Sequence, residues 1–364
     1  MNAAAPAELL AGSEAIAAAM VAAGCRFFAG YPMTPFTETL EAMARRLPEA
    51  GGVCLNAESE IEAIGMCWGA AAAGTRSATG STGQGLALMQ ESLAEMTLAR
   101  LPLVVLDMAR GQGDYFQATR GGGHGDYRLP VLAPIDVPEA VAHIRLAFDW
   151  AEAWRTPVLV LGDYYLAHTY RSVPALVPGS NPPRPAAWSM DGTTGGTGHA
   201  KLISPLGATK QRDGLGGEAG YDLSVHYQAA AQRTTTMLRC LPSQSEALFL
   251  DDADLVVIAY GTPAAYVRAA VRALRARGAR VGYLRPITLA PFPTAAVAAL
   301  AGTARAVAVY ENNTGQALDD VRLALEGRVP IHWIGGLSLD PSGFGVAPDL
   351  NVTVLTRRIE EVLP

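Results

Sequence analysis

The sequence predicts an α/β protein in which parallel sheets are covered by helices on both faces. Apolar extended runs alternate with helical patterns through the first half of the chain, and the alternation resumes after residue 250. Strands buried on both faces read as nearly continuous apolar runs, as "LPLVVLDMA" does at residues 101–109. With 364 residues, half of them apolar, the chain is long enough for two domains with large buried cores.

Local signals support each element of the first half. Residues 13–24, "SEAIAAAMVAAG", predict a helix with Ser13 as the N-cap and Gly24 as the stop. Residues 59–74 predict a helix of small residues that Ser59 caps. The other predicted helices span 35–47, 84–99 and 137–154, and the predicted strands span 26–31, 51–57, 76–81, 101–109 and 156–163.

The second half contains a change of composition and then a second α/β pattern. Residues 173–250 are rich in proline and glycine but keep apolar and aromatic residues, which indicates a structured connector with one helix at 221–238. Strands are predicted at 253–261, 280–285, 304–312 and 330–336, and helices at 263–278 and 314–327. We therefore expect domains at 1–172 and 251–364, joined by the connector 173–250.

Composition argues against several classes of function. The net charge is −6 and no basic run occurs, so we expect no nucleic-acid partner. The first twenty residues carry two glutamates and no Lys or Arg, and no uncharged apolar stretch of about 18 residues occurs, so we expect a cytoplasmic protein without a leader or membrane span. The four cysteines are not clustered, so we expect no iron–sulfur cluster in this chain alone.

Glu60 is the first candidate site residue. It begins a predicted helix directly after a predicted strand, and α/β proteins bind ligands at the carboxyl ends of their strands. An acidic residue at a helix start is also favoured by the helix dipole, which requires no ligand. Glu58 and Glu62 are competing carboxylates in the same motif.

Arg110 is the second candidate, because it directly follows the buried run at 101–109. A guanidinium at a strand end can bind a carboxylate through two parallel hydrogen bonds. The alternative is a surface arginine that merely ends the strand.

The third candidate is Thr34 in "GYPMTP", residues 30–35, where Pro32 and Pro35 stiffen the end of the first strand. The hydroxyl or backbone N–H of Thr34 could face a ligand. In the alternative, Thr34 is the N-cap of the next helix and Pro35 its first residue. The two interpretations are compatible.

Four motifs in one order give the chain a resemblance to a known family. "GYPMTP", "AESEIEAIGM", "GSTGQGLALMQE" and "MARG" resemble the α subunit of 2-oxoacid:ferredoxin oxidoreductases, enzymes that use thiamine diphosphate. "PVLVLGD", "YLRPITLAPFP" and "ENNTGQ" extend the resemblance, which covers residues from about 8 to 360. "DYFQATRGGGHGDYR" is most similar to the branched-chain (2-ketoisovalerate) type.

The resemblance implies a fold and a set of roles. The first domain would be a thiamine-enzyme pyrimidine-binding domain, and the smaller one would resemble a transketolase C-terminal domain. Glu60 would contact N1′ of the aminopyrimidine, with Tyr31 and Pro32 also at the cofactor, and Arg110 and Thr34 would bind the 2-oxo acid. The implied reaction converts a 2-oxo acid, coenzyme A and oxidised ferredoxin to acyl-CoA, carbon dioxide and reduced ferredoxin.

The resemblance also implies that the chain works with partners. Thiamine enzymes hold Mg²⁺ and the diphosphate with a GDG-then-Asn motif, and no GDG occurs here. A β subunit would therefore supply the Mg–diphosphate site. Iron–sulfur clusters would lie in partner chains, with a ferredoxin or ferredoxin-like subunit, and a γ subunit could join a hetero-oligomer with twofold symmetry.

Two departures from the family pattern leave the substrate open. The loop after Arg110 is shorter than in the branched-chain type, and Phe36 replaces the commoner serine, which could make the substrate pocket more apolar or aromatic. Branched-chain, aromatic, 2-oxoglutarate and pyruvate substrates are expected in that order. A thiamine-dependent decarboxylase or carboligase subunit, or a non-catalytic scaffold, remains an alternative.

Overall fold

The computed structural model describes residues 7–176, 189, 223–338 and 349–364. Most of the predicted connector 173–250, including its glycine-rich stretches, lies outside the described residues. The strands are β1 (Ala7–Ala11), β2 (Phe27–Gly30), β3 (Val53–Asn56), β4 (Ser77–Ser81), β5 (Leu103–Ala109), β6 (Val131–Leu132), β7 (Pro157–Asp163), β8 (Tyr170–Pro174), β9 (Ser245–Leu248), β10 (Leu255–Ile258), β11 (Val281–Pro286), β12 (Thr288–Ala290), β13 (Ala306–Val309) and β14 (Ile331–Trp333). The helices are α1 (Gly12–Ala22), α2 (Thr37–Glu49), α3 (Glu60–Ala72), α4 (Gly83–Ala99), α5 (Tyr115–Thr119), α6 (Val137–Trp154), α7 (Tyr164–His168), α8 (Leu223–Cys240), α9 (Pro263–Ala276), α10 (Thr294–Ala299), α11 (Gln316–Leu325) and α12 (Val352–Glu360).

A seven-stranded sheet forms the larger unit, in the order β12-β6-β7-β5-β4-β2-β3. All neighbours are parallel except β12 and β6, which are antiparallel. Successive residues of β5 face opposite sides: Val104 and Leu106 pack with α1, α2 and α6, whereas Val105 packs with α3 and α4. The sheet is therefore buried on both faces, and the predicted fold class is confirmed.

The smaller unit is a five-stranded sheet in the order β14-β13-β10-β11-β9, parallel except for β9. Helices α9 and α12 cover one face, where Val267 and Leu355 meet Val257 of the central strand. Helices α10 and α11 cover the other face. Nine elements were not predicted from the sequence: β1, β6, β8, β9, β12, α5, α7, α10 and α12. All of them are short, and β1 and α12 are the first and last elements of the chain.

Sheet pairing and polar contacts join the two units. Strand β12, from the second half of the sequence, pairs with β6 of the larger sheet. Arg285 of β11 binds both carboxylate oxygens of Glu139 on α6, at 2.8 and 2.9 Å. Burial raises the pKa of Glu139, but the hydrogen bonds and charge of Arg285 outweigh burial and hold it below its ordinary value. The bounds 1–172, 173–250 and 251–364 stay a prediction, and the β12 and β9 pairings cross them.

Two predicted helix starts were wrong. Ser13 does not cap α1; it is buried, and its hydroxyl donates to the carbonyl of Ala167 at 3.1 Å. Helix α2 begins at Thr37, because Phe36 N and Thr37 N both donate to Met33 O and fold residues 34–36 into a turn. Thr34 is therefore not the N-cap, and Pro35 is not the first helical residue. Ser59 does precede α3, but its hydroxyl donates to the Glu62 carboxylate instead of accepting from a backbone N–H.

Phe36 belongs to the core, which corrects the expectation that it makes the substrate pocket more apolar or aromatic. Its side chain is fully buried and stacks on Phe28, with ring centroids 6.1 Å apart. A Cβ atom on Gly80 would fall 2.6 Å from the Phe36 ring, and one on Gly30 would fall 3.0 Å from it. The ring therefore fills the space over two glycines of β2 and β4.

Within the part of the chain that the structure describes, no helix is both long and apolar enough to span a membrane. The cytoplasmic location expected from the sequence stays a prediction.

Candidate active site

Three neighbouring parallel strands end at the same edge of the larger sheet. Strand β2 ends at Gly30, β4 at Ser81 and β5 at Ala109. Because β2 pairs with β4 and β4 with β5 in parallel, the turn at residues 31–36, the start of α4 and Arg110 all emerge there. This edge is where a ligand binds in an open α/β sheet.

Glu60 is the buried carboxylate of this edge. It is the first residue of α3, its side chain is 2% exposed, and its Oε1 accepts a 2.7 Å hydrogen bond from the Ser81 hydroxyl. Its Oε2 has no hydrogen-bond partner among the described residues. Glu58 and Glu62 are exposed, so burial separates Glu60 from both competing carboxylates.

Gly85 leaves room for the pair of Glu60 and Ser81. A Cβ atom at position 85 would fall 2.1 Å from Ser81 Oγ and 2.3 Å from Glu60 Oε1. Real Cβ atoms do not approach other atoms so closely, so a side chain here would displace one of the two groups. The "STGQG" motif is visible in the sequence, but nothing in it indicates that position 85 must lack a side chain.

Arg110 and Thr34 meet at the adjoining strand ends. The Arg110 Nε donates to the Thr34 carbonyl at 3.1 Å, which orients the guanidinium through the turn of the opening motif. The terminal guanidinium nitrogens form no hydrogen bond or ion pair with any described residue. Thr34 is exposed and Arg110 is half-buried, so both face open space.

The structure links the two pairs through Thr82. This residue follows Ser81, and its hydroxyl lies 3.1 Å from Met33 Sδ, next to Thr34. Among the described residues, no hydrogen bond or ion pair joins Glu60 directly to Arg110 or Thr34. Tyr31 is half-buried and Pro32 is exposed at the same turn, and their contact with a cofactor stays a prediction.

Two aspartates near this edge escaped the sequence analysis. Burial raises the pKa of Asp114, while Gln117 and the charge of Arg110 lower it in part. The Asp114 carboxylate lies at the start of α4, where a Cβ atom on Gly83 would fall 2.0 Å from Oδ1. An acid at a helix N-terminus is favoured by the helix dipole. Because Asp114 lies in a glycine-rich loop, no helix or strand periodicity in the sequence pointed to it.

Asp107 is the second of these aspartates, and neither of its carboxylate oxygens has a hydrogen-bond partner in the part of the chain that the structure describes. It is 1% exposed and pairs in register with Ser81, so the two side chains share a face of the sheet. Burial, and to a lesser degree the charge of Asp114, raises the pKa of Asp107 well above its ordinary value. Burial therefore favours the neutral form of the Asp107 carboxyl group.

The residues present fit the aminopyrimidine of thiamine diphosphate. The carboxylate of Glu60 is shielded from water, Ser81 satisfies one oxygen, and the other is left for a nitrogen donor. Within residues 7–176, 189, 223–338 and 349–364, no group of three or more His, Cys, Asp or Glu side chains is placed to hold a metal ion.

Comparison with known proteins assigns the chain to a family. Residues 18–189 match the family model described as pyruvate flavodoxin/ferredoxin oxidoreductase, thiamine diphosphate-binding, and residues 253–341 match pyruvate:ferredoxin oxidoreductase core domain II. The ketoisovalerate oxidoreductase subunit VorB of Methanothermobacter thermautotrophicus is 35% identical over 328 residues, which cover 87% of this chain and 89% of that protein. The chain belongs to the 2-oxoacid:ferredoxin oxidoreductase family. The predicted resemblance is therefore confirmed.

Other relatives of this oxidoreductase subunit agree on the enzyme class and differ in substrate. The 2-oxoglutarate synthase subunit KorA of Methanocaldococcus jannaschii is also 35% identical, over 86% of this chain and 90% of its own length. A structure of 2-oxoglutarate:ferredoxin oxidoreductase from Magnetococcus marinus, with 2-oxoglutarate, coenzyme A and succinyl-CoA bound, superposes with a TM-score of 0.80 at 27% identity. That match covers 98% of this chain and 65% of the other. A split-gene transketolase, 14% identical with a TM-score of 0.57, shares the fold.

Proposed function

We propose that the chain is the subunit that contributes the aminopyrimidine and substrate-carboxylate contacts to a thiamine diphosphate-dependent 2-oxoacid:ferredoxin oxidoreductase. The enzyme would convert a 2-oxo acid and coenzyme A to acyl-CoA and carbon dioxide, and ferredoxin would take the two electrons. The observation that carries the proposal is the joint placement of a buried Glu60–Ser81 pair and an Arg110–Thr34 pair at one sheet edge. Thiamine diphosphate, when bound, supplies the carbanion chemistry of decarboxylation.

In this proposal, Glu60 would hold the aminopyrimidine of bound thiamine diphosphate and share a proton with its N1′. The hydrogen bond from Ser81 orients the carboxylate through Oε1 and leaves Oε2 to accept from a ligand. Because Glu60 is 2% exposed, most of the residue is shielded from water, and the low local dielectric strengthens the contact.

Arg110 binds the carboxylate of the 2-oxo acid. Its Nε is used by the Thr34 carbonyl, which leaves the two terminal nitrogens to form parallel hydrogen bonds with a carboxylate. Thr34 contributes its exposed side chain to the same wall of the site. Tyr31 and Pro32 would contact the cofactor from the adjoining turn.

The substrate class stays open between branched-chain 2-oxo acids and 2-oxoglutarate. The ketoisovalerate and 2-oxoglutarate relatives are equally similar, at 35% identity each, so identity does not rank them. The burial of Phe36 removes the reason to place aromatic substrates high in the order. We place branched-chain 2-oxo acids first, because the motif at residues 114–128 resembles that type.

We further propose that a β subunit with the Mg–diphosphate site docks on the outer face of α3 and α4. Ile61, Met66 and Leu88 are exposed there by 53, 38 and 50%. Cβ atoms on Gly65 and Gly69 of α3 would meet nothing within 4 Å, so another helix can approach closely. Since Glu60 is the first residue of the same helix, a partner on this face would lie next to the sheet edge that carries the carboxylate. Iron–sulfur clusters, a ferredoxin-like chain and a γ subunit would join this twofold assembly.

Assay of the assembled enzyme tests the proposed activity. The chain is co-expressed with its neighbouring subunit genes, and reduction of a viologen dye is followed with coenzyme A and a panel of branched-chain, aromatic, 2-oxoglutarate and pyruvate substrates. We expect dye reduction that requires both coenzyme A and thiamine diphosphate. Carbon dioxide release without coenzyme A or dye would instead indicate a non-oxidative decarboxylase, and no turnover in an intact complex would indicate a scaffold.

Assembly of the complex tests the docking face separately. Met66→Glu and Leu88→Glu should weaken association with the β subunit by tenfold or more, because each would bury an unpaired charge. Leu323→Glu is the matched control, since Leu323 is 71% exposed on α11 of the smaller unit. Equal association of all three variants in analytical ultracentrifugation would contradict the assignment of this face.

A further inference from the structure

The loop that follows Arg110 is held by the smaller unit through one buried side chain, Gln112. Gln112 is 4% exposed, although its loop belongs to the larger unit. Its Nε2 donates to the Tyr260 carbonyl at 3.1 Å, and its Oε1 accepts from Asn312 N at 2.7 Å. Its side chain thus bridges two strand ends of the smaller sheet, which lie 148 and 200 positions away in sequence.

The main chain of Gln112 is held by the same partners. Its carbonyl accepts from Asn313 Nδ2 at 2.8 Å and from the Tyr260 hydroxyl at 3.3 Å, and its N–H donates to the Asn312 carbonyl at 3.3 Å. Every polar group of Gln112 is therefore satisfied by the smaller unit. Because the residue is buried, loss of one of these partners would leave an unpaired polar group.

Contacts beyond Gln112 join the loop to helix α11 of the smaller unit. Gln316 at the start of α11 accepts from Phe116 N and donates to the Gly113 carbonyl, both at 2.8 Å. The Tyr115 hydroxyl donates to Asp320, which also pairs with Arg120 at 2.8 Å. The smaller unit therefore holds the loop at Gly113, Tyr115, Phe116 and Arg120 as well as at Gln112.

Arg110 is two residues from Gln112, so the backbone between them spans at most about 7 Å. A fixed Gln112 leaves the Arg110 backbone little freedom, and the Thr34 carbonyl holds the Arg110 side chain at its Nε. Because the loop is short, a shift of Gln112 would also move the backbone of Arg110.

We propose that Gln112 is a positioning residue through which the smaller unit sets the placement of Arg110 for the substrate carboxylate. The inference rests on the proposed role of Arg110 and adds the part of the molecule that controls it. It assigns a role to the "ENNTGQ" motif: Asn312 and Asn313 hold Gln112, while Glu311 caps α11 through the N–H groups of Ala317 and Leu318.

Gln112→Glu in the assembled enzyme tests the inference, because it turns the Nε2 donor into an oxygen facing the Tyr260 carbonyl. We expect the KM for the 2-oxo acid to rise about tenfold. A displaced Arg110 would lose the equivalent of about one hydrogen bond to the charged substrate carboxylate, and a loss of that size changes affinity about tenfold. The kcat and the KM for coenzyme A should change much less. Asn313→Asp removes the separate hydrogen bond from Asn313 Nδ2 to the Gln112 carbonyl while keeping the Oδ1 that accepts from Gly315 N, and it should act in the same direction.

Gln90→Glu is the matched control. Gln90 is 5% exposed, and its Nε2 also donates to a carbonyl, that of Gln117, at 3.1 Å. The substitution makes the same chemical change at similar burial without touching Gln112. We expect it to leave the KM for the 2-oxo acid near the wild-type value.

A double-mutant cycle separates the inference from the proposed function. If Gln112 acts through Arg110, the variant carrying Arg110→Ala and Gln112→Glu should have the same KM as Arg110→Ala alone. A normal KM in Arg110→Ala overturns the substrate assignment and the inference together. A raised KM in Arg110→Ala, combined with additive effects or with silent Gln112→Glu and Asn313→Asp variants, overturns the inference alone.

Discussion

Ser81 Oγ donates to Glu60 Oε1 at 2.7 Å, and the two residues are 21 positions apart in sequence. The hydroxyl comes from the last residue of β4 and the carboxylate from the first residue of α3. The sheet order therefore brings together two groups that no local pattern pairs. The first two predictions concern this pair.

Replacing Glu60 by Gln should abolish turnover while the complex still assembles. The amide keeps the shape of the side chain but cannot take a proton, and positioned proton transfer contributes about 10²- to 10⁴-fold to rates. The measurement is kcat in the assembled enzyme, with gel filtration as the check on assembly. Wild-type kcat in the Gln variant would remove Glu60 from the mechanism.

Replacing Gly85 by Ala should lower kcat, because the added Cβ would displace Ser81 Oγ or Glu60 Oε1 from its place. The strain of overpacking should also destabilise the chain by about 1–3 kcal/mol. Gly302→Ala is the control, since a Cβ atom there would meet nothing within 4 Å. Thermal unfolding and kcat are measured for both variants, and indistinguishable results would show that the space around Gly85 is not restricted.

Replacing Arg110 by Ala should raise the KM for the 2-oxo acid and cost about 2–4 kcal/mol of transition-state binding. Arg110→Lys should recover little, because an ammonium group lacks the planar fork and the Nε that binds the Thr34 carbonyl. Arg45→Ala, at an exposed ion pair with Glu14, should leave the KM unchanged. Steady-state kinetics decide the matter, and full recovery by lysine would argue against a paired contact.

Asp107 should make the stability of the chain depend on pH. Its pKa in the folded chain lies well above the unfolded value, which is about 3.9, so the folded state binds the extra proton. The stabilisation from that proton is complete below the unfolded pKa and is lost as pH rises through the folded pKa. Asp107→Asn removes this titration, so its unfolding free energy should rise relative to wild type between pH 5 and 8.

Denaturant unfolding of wild type and Asp107→Asn at several pH values in that range measures the difference. Other titrating groups are common to both proteins and cancel in the comparison. Parallel curves for the two proteins would mean that Asp107 does not hold a proton in the folded chain.

The start of α2 shows where sequence signals mislead. Thr34 and Pro35 have the residue types of an N-cap and a first helical residue, yet α2 begins at Thr37. Phe36 decides this start, because burying its ring against Phe28 outweighs the local preference for a cap. The residue types correctly predicted that a helix follows this turn, but the packing of Phe36 determined the residue at which it begins.

By itself, the sequence determined the order of the main strands and helices and the parallel sheet edge, and it singled out Glu60 and Arg110 at that edge as candidate site residues. It could do so because apolar periodicity, and the place of a charged residue at a strand end, are local properties. The tertiary structure decided that Ser81 and Gly85 hold Glu60, that Phe36 is core, and that Gln112 ties the loop after Arg110 to Tyr260 and to residues 312–313. Those contacts join residues tens to two hundred positions apart, and only packing of the two units brings their polar groups within hydrogen-bond distance.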